Sequence, residues 1–217
     1  MKMKLIALAA ALAASSSASA QTSATLNVTG TITPPSCSMN LDHSEVNLGH
    51  KGSAQLNATR PTKFSDAATT VTVACGANTQ FALNVNDERA GSVAADAVRT
   101  ASTQAHAGHA FGLGEHNGNP IGAYVIELDA VMAGTSEKMH NTSFIADADK
   151  NGAYQDTAFL TPGMFNAWKS TETQGVASVQ RATADLIIRA AVMGTDAIGM
   201  DGEVTLDGRA TVELEYL

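Results

Sequence analysis

The chain has 217 residues, 44% hydrophobic and 16% charged, with 21 acidic against 13 basic side chains and a formal charge of −8. That length supports one sizeable domain with its own core. The acidic balance, with no basic run, argues against nucleic acid as a partner, because phosphate binding wants a basic patch.

The N-terminus opens with Lys2 and Lys4, then an apolar run over 5–14, then a Ser/Ala stretch ending in Ala18-Ser19-Ala20. A charged start, a short apolar centre and a small-x-small end make a secretory leader, and the run is too short to span a bilayer. Residues 1–20 are therefore expected to be a signal peptide, with Gln21 as the mature N-terminus. No later segment is apolar for long enough to predict a membrane span in the mature protein.

Over 25–33, Leu26, Val28, Gly30 and Ile32 alternate with polar residues, the period of two of a half-buried strand, and Pro34-Pro35 stops it. Cys37 and Cys75 are the only two cysteines. In an exported chain such a pair is expected to be oxidised, and no His or Cys stands at metal-ligand spacing from either. Strands are predicted over 71–75 and 81–85. Residues 92–107 are alanine-rich but polar on every face, and read as a loop with one helical turn. Strands over 110–114 and 123–128 are joined by turn-rich residues 115–122. Residues 141–156 read as polar and turn-rich. Residues 184–192 are β-branched enough for a strand, with a short helix as the alternative. At the end, Val204, Leu206, Gly208, Ala210, Val212, Leu214 and Tyr216 alternate without a fault. Many short strands between Gly, Asn, Asp and Pro turns, with no repeat or linker, predict an all-β sandwich.

The candidate chemistry is thin. His106 and His109, with Glu115 and His116 nearby, suggest zinc, but the segment is Gly-rich and lacks a scaffold to fix ligand geometry, so solvated loop histidines are expected. Asp147, Asp149 and Asn151, followed by Gly152, resemble the front of a calcium loop. The twelfth position, which needs a bidentate Glu, is Ala158, so a polar Asx-type turn and no metal are expected. There is no Gly-x-Ser-x-Gly, and no nucleophile has a convincing base. His43, His50 and His140 are isolated. Glu213 and Glu215 fall on the outward face of the last strand. Trp168 suits core packing better than carbohydrate stacking. No cofactor and no enzymatic activity are expected.

The two ends resemble the subunits of bacterial fimbriae assembled by the chaperone–usher route. Gly30 lies seven residues before Cys37, as in the first strand of that family, and Cys75 closes the second strand. The chain ends in an alternating strand with a penultimate aromatic, Tyr216. The middle, Phe111-Gly-Leu-Gly and Ile121-Gly-Ala-Tyr124, is similar to a fimbria-associated family of formerly unknown function. The resemblance implies an immunoglobulin-like sandwich lacking its last strand, with one intradomain disulfide. It divides the mature chain into an N-terminal donor extension with the start of the first strand (21–33) and a domain (34–217). The donor strand would be residues 21–32, with Leu26, Val28 and Ile32 as inserting knobs and Gly30 where the groove is shallow. The acceptor groove would be edged by the first strand and by the strand from Val204 to Tyr216. The implied partners are a periplasmic chaperone, an outer-membrane usher and neighbouring subunits, along a route from periplasm to surface fimbrium. Excess length over 87–109 and 133–156 suggests a minor or tip-associated subunit, or a periplasmic relative that never polymerises. The alternative is a monomeric periplasmic or secreted sandwich that binds a ligand in its long loops.

Overall fold

The computed structural model describes residues 24–32, 35–135 and 137–217. The expected signal peptide and the start of the donor extension lie outside them. The chain divides into two units, Met1–Thr33 and Pro34–Leu217.

Among the described residues the second unit holds, besides three single turns of 3-10 helix, thirteen strands and two short α-helices. In chain order these are β1 (Cys37–Leu41), β2 (Thr62–Lys63), β3 (Ala67–Asp87), α1 (Ala95–Ala101), β4 (Ala110–Gly112), β5 (Glu115–His116), β6 (Asn119–Pro120) and β7 (Gly122–Gly134). There follow β8 (Met139–Asn141), β9 (Phe144–Asp147), β10 (Gln155–Thr157), β11 (Phe165–Trp168), β12 (Ser178–Val192), α2 (Thr195–Ile198) and β13 (Ala210–Tyr216). Eleven strands join in one curled sheet, whose main path runs β10-β9-β11-β3-β12-β7-β4. Every pairing within it is antiparallel. The all-β expectation holds.

β3 organises the domain. The strands predicted over 71–75 and 81–85 are two halves of this one strand. Gly76-Ala77-Asn78 between them stays extended, because each half is held by its own partners. The first half pairs with β1 and β12, the second with β13 and β11. A register shift between Val179 and Arg181 of β12 falls where the two halves meet, and such an irregularity lets a strand bend. Val71, Val73, Phe81, Leu83 and Val85 of β3 are buried against Leu186, Ile188 and Val192 of β12 and Tyr124 and Ile126 of β7.

Trp168 lies in this core at 1% exposure. It packs edge-on to Phe81 at 5.5 Å and against Phe144 at 4.4 Å, and its Nε1–H donates to the Thr183 carbonyl at 3.1 Å. Disulfide-bonded Cys37 and Cys75 are directly opposite each other on β1 and β3.

Four expectations need correction. Residues 24–32 form no strand, since alternation alone supplies no partner ladder. The terminal alternation is sheet-paired only over Ala210–Tyr216, because β3 ends opposite Ala210. Residues 92–107 contain the two-turn α1, whose Ala97, Val98 and Ala101 are small enough to lie close on Ala123, Val125 and Ala191 of the sheet. Residues 141–156 hold β9 and the start of β10, where Ile145 packs on Ala82 and Ala167.

Candidate functional site: an open apolar groove

A groove of about 840 Å³ runs into the core of the second unit. One wall is the C-terminal segment, through Val204, Leu206, Gly208, Ala210 and Val212. The facing wall starts at Leu41 at the end of β1 and continues through residues 43–53 to Leu56. Leu113, Ile121, Tyr124, Ile126, Leu186 and Ile188 form its floor, and all six belong to the main core. A solvent-reaching cleft with core side chains for a floor is costly unless something covers it.

The edges explain why the cleft persists. β13 pairs with β3 on one side and with no other strand among the described residues. The same holds for β1. β13 and β1 run in one direction along the same strand, β13 beside Phe81 to Asp87 and β1 beside Val71 to Cys75. Each therefore offers an outer row of backbone N–H and C=O groups to a further strand.

Upstream of β13 the wall has little backbone support. The Asp207 N–H donates to the Leu113 carbonyl at 2.9 Å. Gly208 is pressed onto the floor: a Cβ there would sit 2.9 Å from Tyr124 Cε1 and 3.1 Å from Leu113 Cδ2. Burial, then the nearby charges of Asp87 and Glu88, push the Tyr124 phenol above its ordinary range.

The groove brings together five of the seven terminal positions singled out in the sequence. Leu214 packs on the core beyond the lining, and Tyr216 is 48% exposed. Leu26, Val28 and Ile32 are 86%, 87% and 96% exposed, the most exposed large apolar side chains among the described residues. Sequence reasoning missed the wall over 43–56. Its signal was faint: Leu41, Val46, Leu48 and Leu56 at irregular spacing among turn residues, all packed against the core.

The polar candidates serve local structure. Asp147 accepts from the N–H of Asp149 at 3.4 Å and of Gly152 at 2.9 Å, and the Asn151 side chain accepts from Ala153 N–H, so this loop is a run of Asx turns. His106 accepts from the Gly108 N–H at 3.1 Å. His109 lies against His106 at 3.7 Å and stacks on Phe159 at 4.5 Å. Lys150 donates to Glu215; this bond, with one from Asn84, holds the Glu215 carboxyl below its usual range. No group of three metal-ligating side chains forms among the described residues.

The sequence matches the family described as Fimbrial protein over residues 26–196. The chain belongs to the fimbrial protein family. That family is structural rather than enzymatic, and membership places the chain among fimbrial components. The match begins at Leu26 and stops before the groove's C-terminal wall. No curated protein matches the chain. No helix among the described residues is long and apolar enough to cross a membrane.

Proposed function

We propose that this fimbrial protein is a structural subunit completed by strand addition. The groove first takes a strand from a periplasmic chaperone, then the N-terminal extension of a neighbouring subunit delivered through an outer-membrane usher. Residues 21–32 of each copy serve as the donor, exported by the leader over 1–20. Such contacts are head to tail and build an open filament. In strand addition the main chain supplies affinity and pockets for alternate side chains supply selectivity.

The observation that carries this reading is the outer edge of β13, unpaired among the described residues, above an apolar floor. The donor side agrees with it in length and period. Residues 24–32 and residues 204–212 have the same length and carry alternating apolar positions. At roughly 3.3 Å per residue either segment spans about 30 Å. The outward Glu213 and the extra elements α1, β8, β9 and β10 lie away from the groove lining, which fits a minor or tip-associated position.

The test is replacement of Leu26 or Val28 by Asp. The folded subunit and its one-to-one chaperone complex should survive, while incorporation into fibres is lost. Loss of the fold instead would make the segment an internal strand. A wild-type chain that folds alone and stays monomeric without a chaperone would favour a ligand-binding sandwich.

A further inference from the structure

We infer that Glu88 and Arg89 are positioning residues for the groove: they hold its C-terminal wall in place where the sheet no longer does. This rests on the strand-addition reading above and adds the device that sets the wall's position.

The β3–β13 ladder ends at Asp87 opposite Ala210, and one further backbone bond follows, from the Glu88 N–H to the Arg209 carbonyl at 3.0 Å. Beyond that point the β3 chain turns away, so residues 203–208 have no sheet partner among the described residues. Two ion pairs continue the register in its place. Arg89 clamps one oxygen of Asp207, through Nη2 at 2.6 Å and Nε at 2.9 Å. Glu88 pairs with Arg209 Nε at 3.1 Å and accepts from the Thr211 hydroxyl. Gly208, pressed on Tyr124, lies between the two paired residues.

The clip is anchored from behind. Asp87 accepts from Arg89 N–H at 2.8 Å and from Gly112 N–H at 2.9 Å. The Ser92 hydroxyl donates to the Arg89 carbonyl at 2.8 Å and accepts from Gly114 N–H at 3.0 Å. Gly112 sits so close that a Cβ would lie 2.0 Å from the Arg89 carbonyl oxygen. The turn after β3 is thus locked to β4, and the charges it presents are fixed in space. Part of the hold on this wall is therefore electrostatic, beside the packing of Val204 and Leu206 on the core. Side-chain exposure is 34% and 60% for Arg89 and Asp207, and 33% and 67% for Glu88 and Arg209, so salt screens both pairs.

The experiment measures binding of a labelled peptide with the sequence of residues 21–32 to the full mature chain released from its chaperone complex. The variants are Arg89→Ala, Arg89→Lys and the exchange Arg89→Asp with Asp207→Arg. Thermal melting of each is recorded alongside. Arg89→Ala should bind roughly three- to tenfold more weakly at low salt and lose part of the salt dependence, the Glu88–Arg209 pair keeping the rest. Arg89→Lys and the exchanged pair should recover affinity and salt dependence. Unchanged affinity in Arg89→Ala, or an exchanged pair that recovers the melting temperature but not peptide binding, overturns the inference and leaves strand addition standing. A wild-type chain that takes up no peptide overturns both.

Discussion

The backbone N–H of Cys37 donates to the Tyr216 hydroxyl at 2.8 Å, linking residues 179 apart in sequence. It joins the start of β1 to the end of β13 where both lie on one edge of β3. The two groove-edging strands are thereby tied head to tail. Leu217 N–H adds a bond to the Gln80 carbonyl at 3.2 Å.

Tyr216→Phe keeps the ring and removes the acceptor. The site is partly exposed, so water replaces much of the lost bond, and the expected cost is about 0.5–1.5 kcal/mol in urea unfolding. Deleting Tyr216 and Leu217 should do more and abolish chaperone capture in a pull-down. Undiminished capture would show that a chaperone does not need these two residues.

The Cys37–Cys75 disulfide closes a loop of 38 residues, worth roughly 4 kcal/mol in the chain-entropy model. Against a total of about 5–15 kcal/mol for a domain this is a large share. The double substitution Cys37→Ala with Cys75→Ala should therefore melt far below the oxidised protein. It should also lose chaperone capture, since Leu41 at the end of β1 begins one groove wall. Equal melting with and without reductant would contradict this.

Periodicity made the core-facing residues legible wherever one face was buried. Val204, Leu206, Ala210, Val212 and Leu214 alternate, and all five pack on the core. What periodicity could not supply was pairing. Residues 24–32 and 204–209 have the same alternation as β13, yet only a segment beside β3 becomes a strand. The turn composition of Gly76-Ala77-Asn78 concealed a continuous β3, because ladders on both halves override local preference. The second wall was hidden for a different reason: over 43–56 the chain follows the core without regular structure apart from one helical turn at 53–55, so its apolar residues obey no period. β11 was also missed, since Phe165–Trp168 is too short to show a period.

Asn166 is a buried polar anchor for that short strand, at 0% exposure. Its Oδ1 accepts from Thr161 N–H at 2.9 Å, and Nδ2 donates to the carbonyls of Met164 at 2.8 Å, Thr161 at 3.0 Å and Leu83 at 3.2 Å. Asn166→Leu fills the space but strands these groups without water. A loss of about 3 kcal/mol or more is expected in denaturant unfolding, with hydrogen exchange rising first at Thr161. A cost under about 1 kcal/mol would show that the loop re-pairs by itself.

His109 gives the domain a pH dependence whose sign is fixed. The imidazole is stacked on Phe159 at 4.5 Å, and its Nδ1 is buried without a hydrogen-bond partner. Burial first, then the neighbouring His106, lowers its pKa below the ordinary 6.5. In the unfolded chain the ring takes a proton near that ordinary value, and in the folded chain only at lower pH. Its contribution is therefore fully present above 6.5 and lost as pH falls through the folded value. Urea midpoints should drop from about pH 7.5 to about pH 5, and His109→Phe, which keeps the stack on Phe159, should lessen that drop. His106→Ala should lessen it by a smaller amount, since the neighbouring charge is the lesser cause. Parallel midpoint curves for wild type and His109→Phe would show that the ring titrates alike in both states.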